Sequence, residues 1–320
     1  MSQPATHQSF VRHHTTSEGR FAHLVRRTAL LACAAVAALG GCAPAAGPGA
    51  AEPPRPVSRT SPPPPSLPAP TAPVAFVNAP GSYRFVVTTE ATIELSADSG
   101  SRAESRGTAA QVTYYVTAPA GGTAGALTVT GSVDSFTVTP RALGDSLAVA
   151  PVAFRGTIEP GRRELTLQPI VPAPAGVECG TPNRTMLALA REAIVVPPPT
   201  LRVGQTWEDR TSSTVCRGDA PLTTRAVHRY RVAGAVRYEG VEALHVTRAS
   251  TLELAGEGSQ RGIAFAVTGR GSSSADLYLD PARGRFLGGT TESNLELDLA
   301  IPGEGAQRFR QRARQRVEAR

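Results

Sequence analysis

The stretch YRFVVTTEATIEL, residues 83–95, alternates between apolar and polar side chains along almost its whole length. Successive side chains of a β-strand point to opposite faces, so a period of two predicts a strand with one face in a core and the other in water. The expected core-facing residues occupy odd positions; they are Tyr83, Phe85, Val87, Ala91, Ile93 and Leu95.

Comparable runs recur through the rest of the chain and are separated by turn-forming residues. Residues 99–107, 118–125 and 159–163 have loop composition, and residues 281–284 predict a hairpin turn. Such short connections favour an antiparallel meander, which forms a curved sheet or half-open barrel, over a parallel α/β sheet. A β-sandwich or two small β domains are the alternatives within this mainly β class. Further strands are predicted at 111–118, 126–139, 147–158, 163–171, 205–215, 225–238, 241–254, 261–268, 274–280, 285–301 and in the C-terminal tail.

One segment interrupts the β pattern. Thr181 is a good N-cap residue, and Pro182 is favoured at the first helical position. Apolar residues then recur at helical spacing, and three prolines at 197–199 end the segment. We expect one central α-helix near residues 182–195 that packs on the sheet and divides the β-rich domain, residues 74–320, into two halves.

The N-terminal region carries an export signal. Arg26 and Arg27 precede an apolar run that matches the h-region of a signal peptide and is too short for a spanning helix. The run ends in LGGC, residues 39–42, which resembles the bacterial lipobox. This resemblance implies removal of residues 1–41 and attachment of lipid to Cys42. The protein is then exported and anchored to the bacterial envelope, at the outer membrane facing the periplasm or at the cell surface. An ordinary secretory signal cleaved nearby is the alternative.

Residues 42–73 are rich in proline and alanine and contain few large apolar side chains. Such a segment buries too little surface to offset the entropy lost on ordering, so we expect a disordered linker. Its prolines favour extended polyproline II, which holds a domain away from the membrane. The run PPPPSLP, residues 62–68, is also compatible with a ligand for an aromatic groove.

Two cysteines remain after Cys42, and they form an even pair in an exported chain. We expect a disulfide bond between Cys179 and Cys216, which would tie the helical segment to the second half of the domain. Two buried free thiols are the alternative.

The net charge of +7 lies at the two ends of the chain, and all 33 basic residues are arginine. Residues 1–41 carry +3, residues 308–320 carry +5 and residues 42–307 carry −1. A neutral body excludes a broad nucleic-acid-binding face, which requires basic residues spread across it.

No set of residues predicts a catalytic, cofactor or metal site. His228 and His245 are the only histidines beyond residue 41, and the sequence shows no partners that would complete a ligand set or a general base. His245 is expected to face solvent or a cleft beside Thr247, and Trp207 is expected to anchor the core. We therefore expect a non-enzymatic protein without cofactors.

The tail RFRQRARQR, residues 308–316, has arginine at every second position. A helix would suit an anionic membrane surface, but a strand puts all five arginines on one face and Phe309 on the other. We expect a strand that pairs with the preceding one, sets its register and protects a sheet edge. With a five-residue loop at 302–306 the expected pairs are Asp298 with Arg310, Glu296 with Arg312, Glu292 with Arg316 and Leu299 with Phe309.

A lipobox, a proline-rich spacer and a β-rich domain with one helix resemble the organisation of bacterial envelope lipoproteins. The domain is similar to the half-open barrels of the LolA/LolB-like lipoprotein-carrier group, whose concave face holds acyl chains beneath a helical lid. The resemblance implies a membrane-anchored, non-enzymatic protein that binds a lipid or other apolar ligand, or another envelope component. A structural or adhesive surface module without a ligand cavity is the alternative, and the sequence identifies no protein partner.

Overall fold

The computed structural model describes residues 63–68, 70, 72–97, 100–118, 125–139, 150–173, 179, 181–217, 220–260, 262–303 and 305–320. For residues 96–97, 100–102, 216–217 and 260 it describes the backbone alone. The predicted signal peptide and Cys42 lie outside these ranges, as does most of the predicted linker.

Within the described residues the chain forms 14 β-strands and one α-helix. In chain order they are β1 Ser66–Leu67, β2 Val74–Ala75, β3 Gly81–Ala97, β4 Gly100–Thr117, β5 Leu127–Thr139, β6 Val152–Glu159, β7 Glu164–Pro169, α1 Asn183–Glu192, β8 Thr200–Leu201, β9 Thr206–Arg217, β10 Ala220–Tyr238, β11 Val241–Gln260, β12 Ile263–Asp280, β13 Arg285–Ala300 and β14 Gln307–Ala319.

Twelve of these strands form one antiparallel sheet with the order β1-β10-β11-β12-β13-β14-β3-β4-β5-β6-β7, and β9 also pairs with β10. The strands β2 and β8 form a separate two-stranded sheet. The large sheet is curved but does not close into a barrel. This confirms the predicted mainly β fold with an antiparallel meander, and the alternative of two small β domains is wrong because one sheet is continuous through both halves.

The C-terminal tail is a strand, as predicted, but it lies in the middle of the sheet. β14 pairs with β13 on one side and with β3 on the other, so it joins the two halves of the domain and protects no edge. The predicted register is wrong by two residues, because Asp298 lies opposite Arg308 and Leu297 lies opposite Phe309. The connection runs through residues 301–306 and includes Ile301, which is buried in the core. A shift of two keeps every side chain on its predicted face.

Two segments that were predicted to be a loop or a break between strands form β-strand instead. Most of residues 99–107 belong to β4, and the strands predicted at 261–268 and 274–280 are one strand, β12. The glycines in the middle of β12 have a packing role, because a Cβ on Gly269 would lie 2.5 Å from Leu297 Cδ2 and one on Gly271 would lie 2.7 Å from Leu295 Cδ2. The predicted loop at 118–125 lies mostly outside the described residues.

Most apolar side chains of the long strands lie on one face, which we call the inner face. The opposite face is the outer face, and it carries a small apolar cluster of Val236, Ala243 and Tyr278. At one end of the inner face a cluster that includes Phe85, Tyr114 and Phe286 packs beneath the helix. At the other end a second cluster includes Phe265, Leu297, Leu299 and Phe309. The inner face is therefore filled by the protein's own side chains at both ends of the strands.

The helix α1 lies between the two ends of the sheet. It contacts β4 to β7 on one side and β9 on the other, and it buries Met186, Leu189 and Ala190. Pro182 has helical backbone angles, and its carbonyl accepts a 3.0 Å hydrogen bond from the Met186 N–H. The predicted helix is confirmed; it begins one residue later and ends three residues earlier than the predicted range 182–195.

The polypeptide that leads into the domain is attached to it over two short segments. Within the run predicted as a linker, β1 pairs with β10, so the PPPPSLP run contacts the protein's own sheet. Phe76 follows β2 and is 2% exposed. Among the described residues, no helix combines the length and the apolarity that crossing a membrane requires.

Candidate functional site

Three of the predicted site residues stay predictions. Cys42 lies outside the described residues. Cys179 lies just before α1, and Cys216 lies near the end of β9, where the side chain is not described. The lipid anchor and the disulfide bond are thus untested by the structure.

His228 lies on the inner face within a closed set of hydrogen bonds. Its Nδ1 is 2.8 Å from Ser250 Oγ, and its Nε2 is 2.9 Å from Thr211 Oγ1. Burial lowers the pKa of His228 to about 4, and the positive charge of Arg248 adds to this shift. A neutral imidazole with both nitrogens occupied by hydroxyl groups is typical of a structural histidine.

The lowered pKa makes acid stability depend on His228. In the unfolded chain His228 takes up a proton near its ordinary pKa of 6.5, whereas in the folded chain its pKa is about 4. Above pH 6.5 the ring is neutral in both states, and the protein has its full stability. As the pH falls from 6.5 towards 4, the unfolded state is protonated preferentially and stability is lost. Because the ring is only partly buried, we expect a loss of about 1–2 kcal/mol, well below the full value of the shift. Urea unfolding above pH 6.5 and near pH 4 measures this loss of unfolding free energy. His228→Asn should lose less stability on acidification than the wild type. An equal loss in both proteins would show that His228 is not the group responsible.

His245 lies on the outer face, as predicted, and is 23% exposed. Its Nε2 is 2.7 Å from Asp276 Oδ1, and its ring stacks on Tyr278 with centroids 5.3 Å apart. Tyr278 in turn stacks on Tyr238 at 4.0 Å. No group of three or more potential metal ligands occurs among the described residues.

Beside Asp276 lies a groove of about 760 Å³ that crosses four strands, β9 to β12, and that we call the first groove. Its floor is the backbone of residues whose side chains point inward, and its walls are two rows of outer-face side chains. Each row crosses the strands along directly paired positions. The rows are Thr206, Arg231, Thr247 and Asp276, and Glu208, Arg229, Ala249 and Ser274.

The walls of the first groove are balanced in charge, because they carry two arginines, Arg229 and Arg231, and two carboxylates, Glu208 and Asp276. Glu208 lies 3.2 Å from both Arg229 and Arg210. The hydrogen bond from Arg229 is the main reason why the pKa of Glu208 is lowered, and Arg210 contributes in the same direction. Glu208 therefore stays ionised, and its charge is paired with the two arginines beside it.

A second groove, of about 450 Å³, crosses β12, β13 and β14 on the same outer face. Its floor is the backbone of Gly271 and Leu295, and three arginines and one carboxylate line its walls. The two rows are Arg270, Glu296 and Arg310, and Ser272, Asn294 and Arg312. This groove has an excess of positive charge.

Beneath the first groove, a polar cluster on the inner face ties α1 to the sheet. The rings of Trp207 and Tyr230 stack in parallel at 4.8 Å, and Trp207 packs against the core as predicted. Arg248, with a side chain 13% exposed, lies 3.8 Å from Glu192 at the end of α1, and its Nη2 donates to Thr291 Oγ1 at 3.2 Å. Arg248 thus links β11 to α1 and to β13.

Sequence reasoning assigned neither groove and missed Arg248. The alternation of the C-terminal tail placed Arg310 and Arg312 of the second groove on the face opposite Phe309, and that was the only signal. The grooves themselves depend on which strands are neighbours.

Comparisons with known proteins assign no family. No family model matches the chain, and no curated protein matches it. Among solved structures, a DUF1329 family protein from Desulfovibrio piger ATCC 29098 is similar at 9% sequence identity over 73% of this chain and 83% of that chain, with a TM-score of 0.13. A TM-score this low carries no argument about fold or function.

Proposed function

We propose that this chain is a lipid-anchored, non-enzymatic protein of the bacterial envelope that binds another envelope component through the outer face of its sheet. The anchor at Cys42 is part of the proposal and rests on the lipobox resemblance. About 21 residues separate Cys42 from residue 63, a tether of roughly 65 Å in the polyproline II conformation. Such a tether lets the sheet reach partners some distance from the membrane.

The observation that carries this proposal is the packing of the inner face. Phe85, Phe154 and Phe309 are each at most 1% exposed, and the helix covers one of the two apolar clusters of the inner face. An acyl chain in the concavity, which the resemblance to LolA/LolB-like carriers implies, would have to displace these side chains. The outer face presents two open grooves instead.

The proposal predicts that cross-links to other envelope components form in cells at the two grooves of the outer face and not elsewhere on that face. A photo-cross-linking residue in place of Ser274 in the first groove or Ser272 in the second should give adducts with an envelope component. Arg155, exposed on the outer face of β6 and away from both grooves, is the matched control and should give none. Adducts should decrease in a Cys42→Ser background, in which the protein is expected to leave the membrane fraction.

Equal adducts at all three positions, or none at any of them, would contradict the proposal. Native mass spectrometry of the detergent-solubilised full chain provides a second readout. A stoichiometric lipid that stays bound to the wild-type chain would favour the carrier function over the outer-face function.

A further inference from the structure

We infer that the second groove binds an acidic glycan, a saccharide chain that bears carboxylate or phosphate groups, through Arg270 and Arg312. This inference rests on the proposed function and names the chemistry of the envelope component. Guanidinium groups bind carboxylates and phosphates through paired, charge-assisted hydrogen bonds.

The first argument is the unbalanced charge of the groove. Glu296 is its only carboxylate and lies 3.6 Å from Arg310. Arg270 lies directly opposite Glu253 on β11 and Glu296 on β13, whereas Arg312 has neutral residues on both sides. Within the described residues, neither guanidinium group forms an ion pair within 4.0 Å, and both side chains are exposed. Two guanidinium groups that line one groove are thus available to an anionic ligand.

The second argument is the difference between Arg312 and the arginines on either side of it in the outer-face row of β14, Arg310 and Arg314. Arg310 lies directly opposite Glu296 on β13 and Glu94 on β3, whereas Arg312 lies opposite Asn294 and Thr92. If these arginines served only to pair the sheet, a carboxylate beside Arg312 would serve that role better. Because its neighbours are neutral, the positive charge of Arg312 is available to a ligand.

The third argument is the composition of the row to which Arg312 belongs. Directly paired positions extend this row across the outer face with hydroxyl and amide side chains: Thr251, Ser272, Asn294, Thr92 and Ser105. At about 4.8 Å between strands the row spans roughly 24 Å. Neutral donors and acceptors beside a cationic groove suit the hydroxyl groups of a sugar chain.

The same features disfavour nucleic acid and a membrane surface. No aromatic side chain lines the second groove, and binding of single strands relies on stacking of bases on aromatic rings. No large apolar residue of β12, β13 or β14 is exposed within the described residues, so this face has nothing to insert into lipid.

The test is titration calorimetry of the detergent-solubilised full chain with a short oligomer of galacturonic acid at low salt. We expect binding that weakens as salt is added, and no comparable binding of a neutral dextran oligomer of similar length. The double variant Arg270→Gln/Arg312→Gln should bind at least about tenfold more weakly. Arg316→Gln removes one positive charge from the same face of β14 outside the groove and should bind like wild type.

Equal binding of the dextran oligomer, or an equal loss in Arg316→Gln, would overturn the inference. A stronger response to vesicles with anionic lipid, lost in the same double variant, would assign the groove to a membrane surface and overturn it as well. If the galacturonate oligomer does not bind but Ser272 and Ser274 still give adducts in cells, the glycan assignment fails while the outer-face function stands. If neither occurs, both fail.

Discussion

Replacing Phe309 with alanine is expected to lower the free energy of unfolding by about 3–5 kcal/mol. Phe309 is 1% exposed and lies opposite Leu297 on β13 and Leu95 on β3. Its ring is part of the cluster that also contains Leu299 and Phe265. Removal of the ring leaves a cavity between the two halves of the domain, where the surrounding strands are paired on both sides and cannot collapse into it.

Urea unfolding followed by far-ultraviolet circular dichroism measures this loss. Arg312→Ala is the matched control, because it removes a large side chain from the outer face of the same strand and should change stability by less than about 0.5 kcal/mol. Similar small effects of both substitutions would show that β14 is a dispensable tail, contrary to its position between β13 and β3.

The alternation in residues 83–95 predicted the central element of the fold, and the structure confirms it. Tyr83, Phe85, Val87 and Ile93 are all buried on the inner face of β3. The helix and the hairpin turn at residues 281–284 were also predictable, because proline and glycine act locally on the backbone. Gly284 has a positive φ of 59°, which favours glycine at that position.

The register of the last hairpin was not predictable from alternation. A period of two fixes the face of each side chain but permits any shift by an even number of residues. Loop length decides among those shifts. Here β13 ends at Ala300, and the buried Ile301 belongs to the connection to β14. The connection is therefore longer than the polar run at 302–306 on which the predicted register was based.

The outer-face grooves were not predictable because each depends on the register of three or four consecutive strands, and alternation alone does not fix register. The neighbours of the β14 arginines also come partly from a distant part of the chain. β14 lies beside β3, which pairs Arg312 with Thr92 and Arg314 with Glu90 across more than two hundred residues of sequence. No local pattern shows that one arginine meets a carboxylate and the next a hydroxyl. That difference appears only once the neighbours of each strand are known.

Reversing the charge of Arg310 and Arg314 together is expected to lower the free energy of unfolding by about 2–3 kcal/mol at low salt. Arg310 lies between Glu296 and Glu94, and Arg314 lies between Glu292 and Glu90. The Arg310–Glu296 and Arg314–Glu292 distances are 3.6 and 3.8 Å. In Arg310→Glu/Arg314→Glu each attractive cross-strand pair becomes a repulsive one, and two rows of three adjacent carboxylates cross the sheet.

The chain supplies its own control for this experiment, because Arg312 and Arg316 lie on the same face of the same strand. Their directly opposed neighbours are uncharged: Asn294 and Thr92 for Arg312, and Thr290 and Thr88 for Arg316. Among the described residues, Arg316 pairs only along its own strand, with Glu318 at 2.8 Å, and an exposed pair of this kind contributes little to stability. Arg312→Glu/Arg316→Glu changes net charge by the same amount and should lower stability by less than about 1 kcal/mol.

The difference between the two double variants should shrink as salt is added, because the pairs are solvent-exposed and screened. Equal losses in both variants would mean that the arginines act through the total charge of the tail. A larger loss in Arg310→Glu/Arg314→Glu, measured by urea unfolding at low salt, would instead locate their effect in neighbours on β13 and β3. The alternating arginines would then differ in their contribution to the fold: Arg310 and Arg314 pair the sheet through their carboxylate neighbours, and Arg312, between Asn294 and Thr92, contributes little to stability.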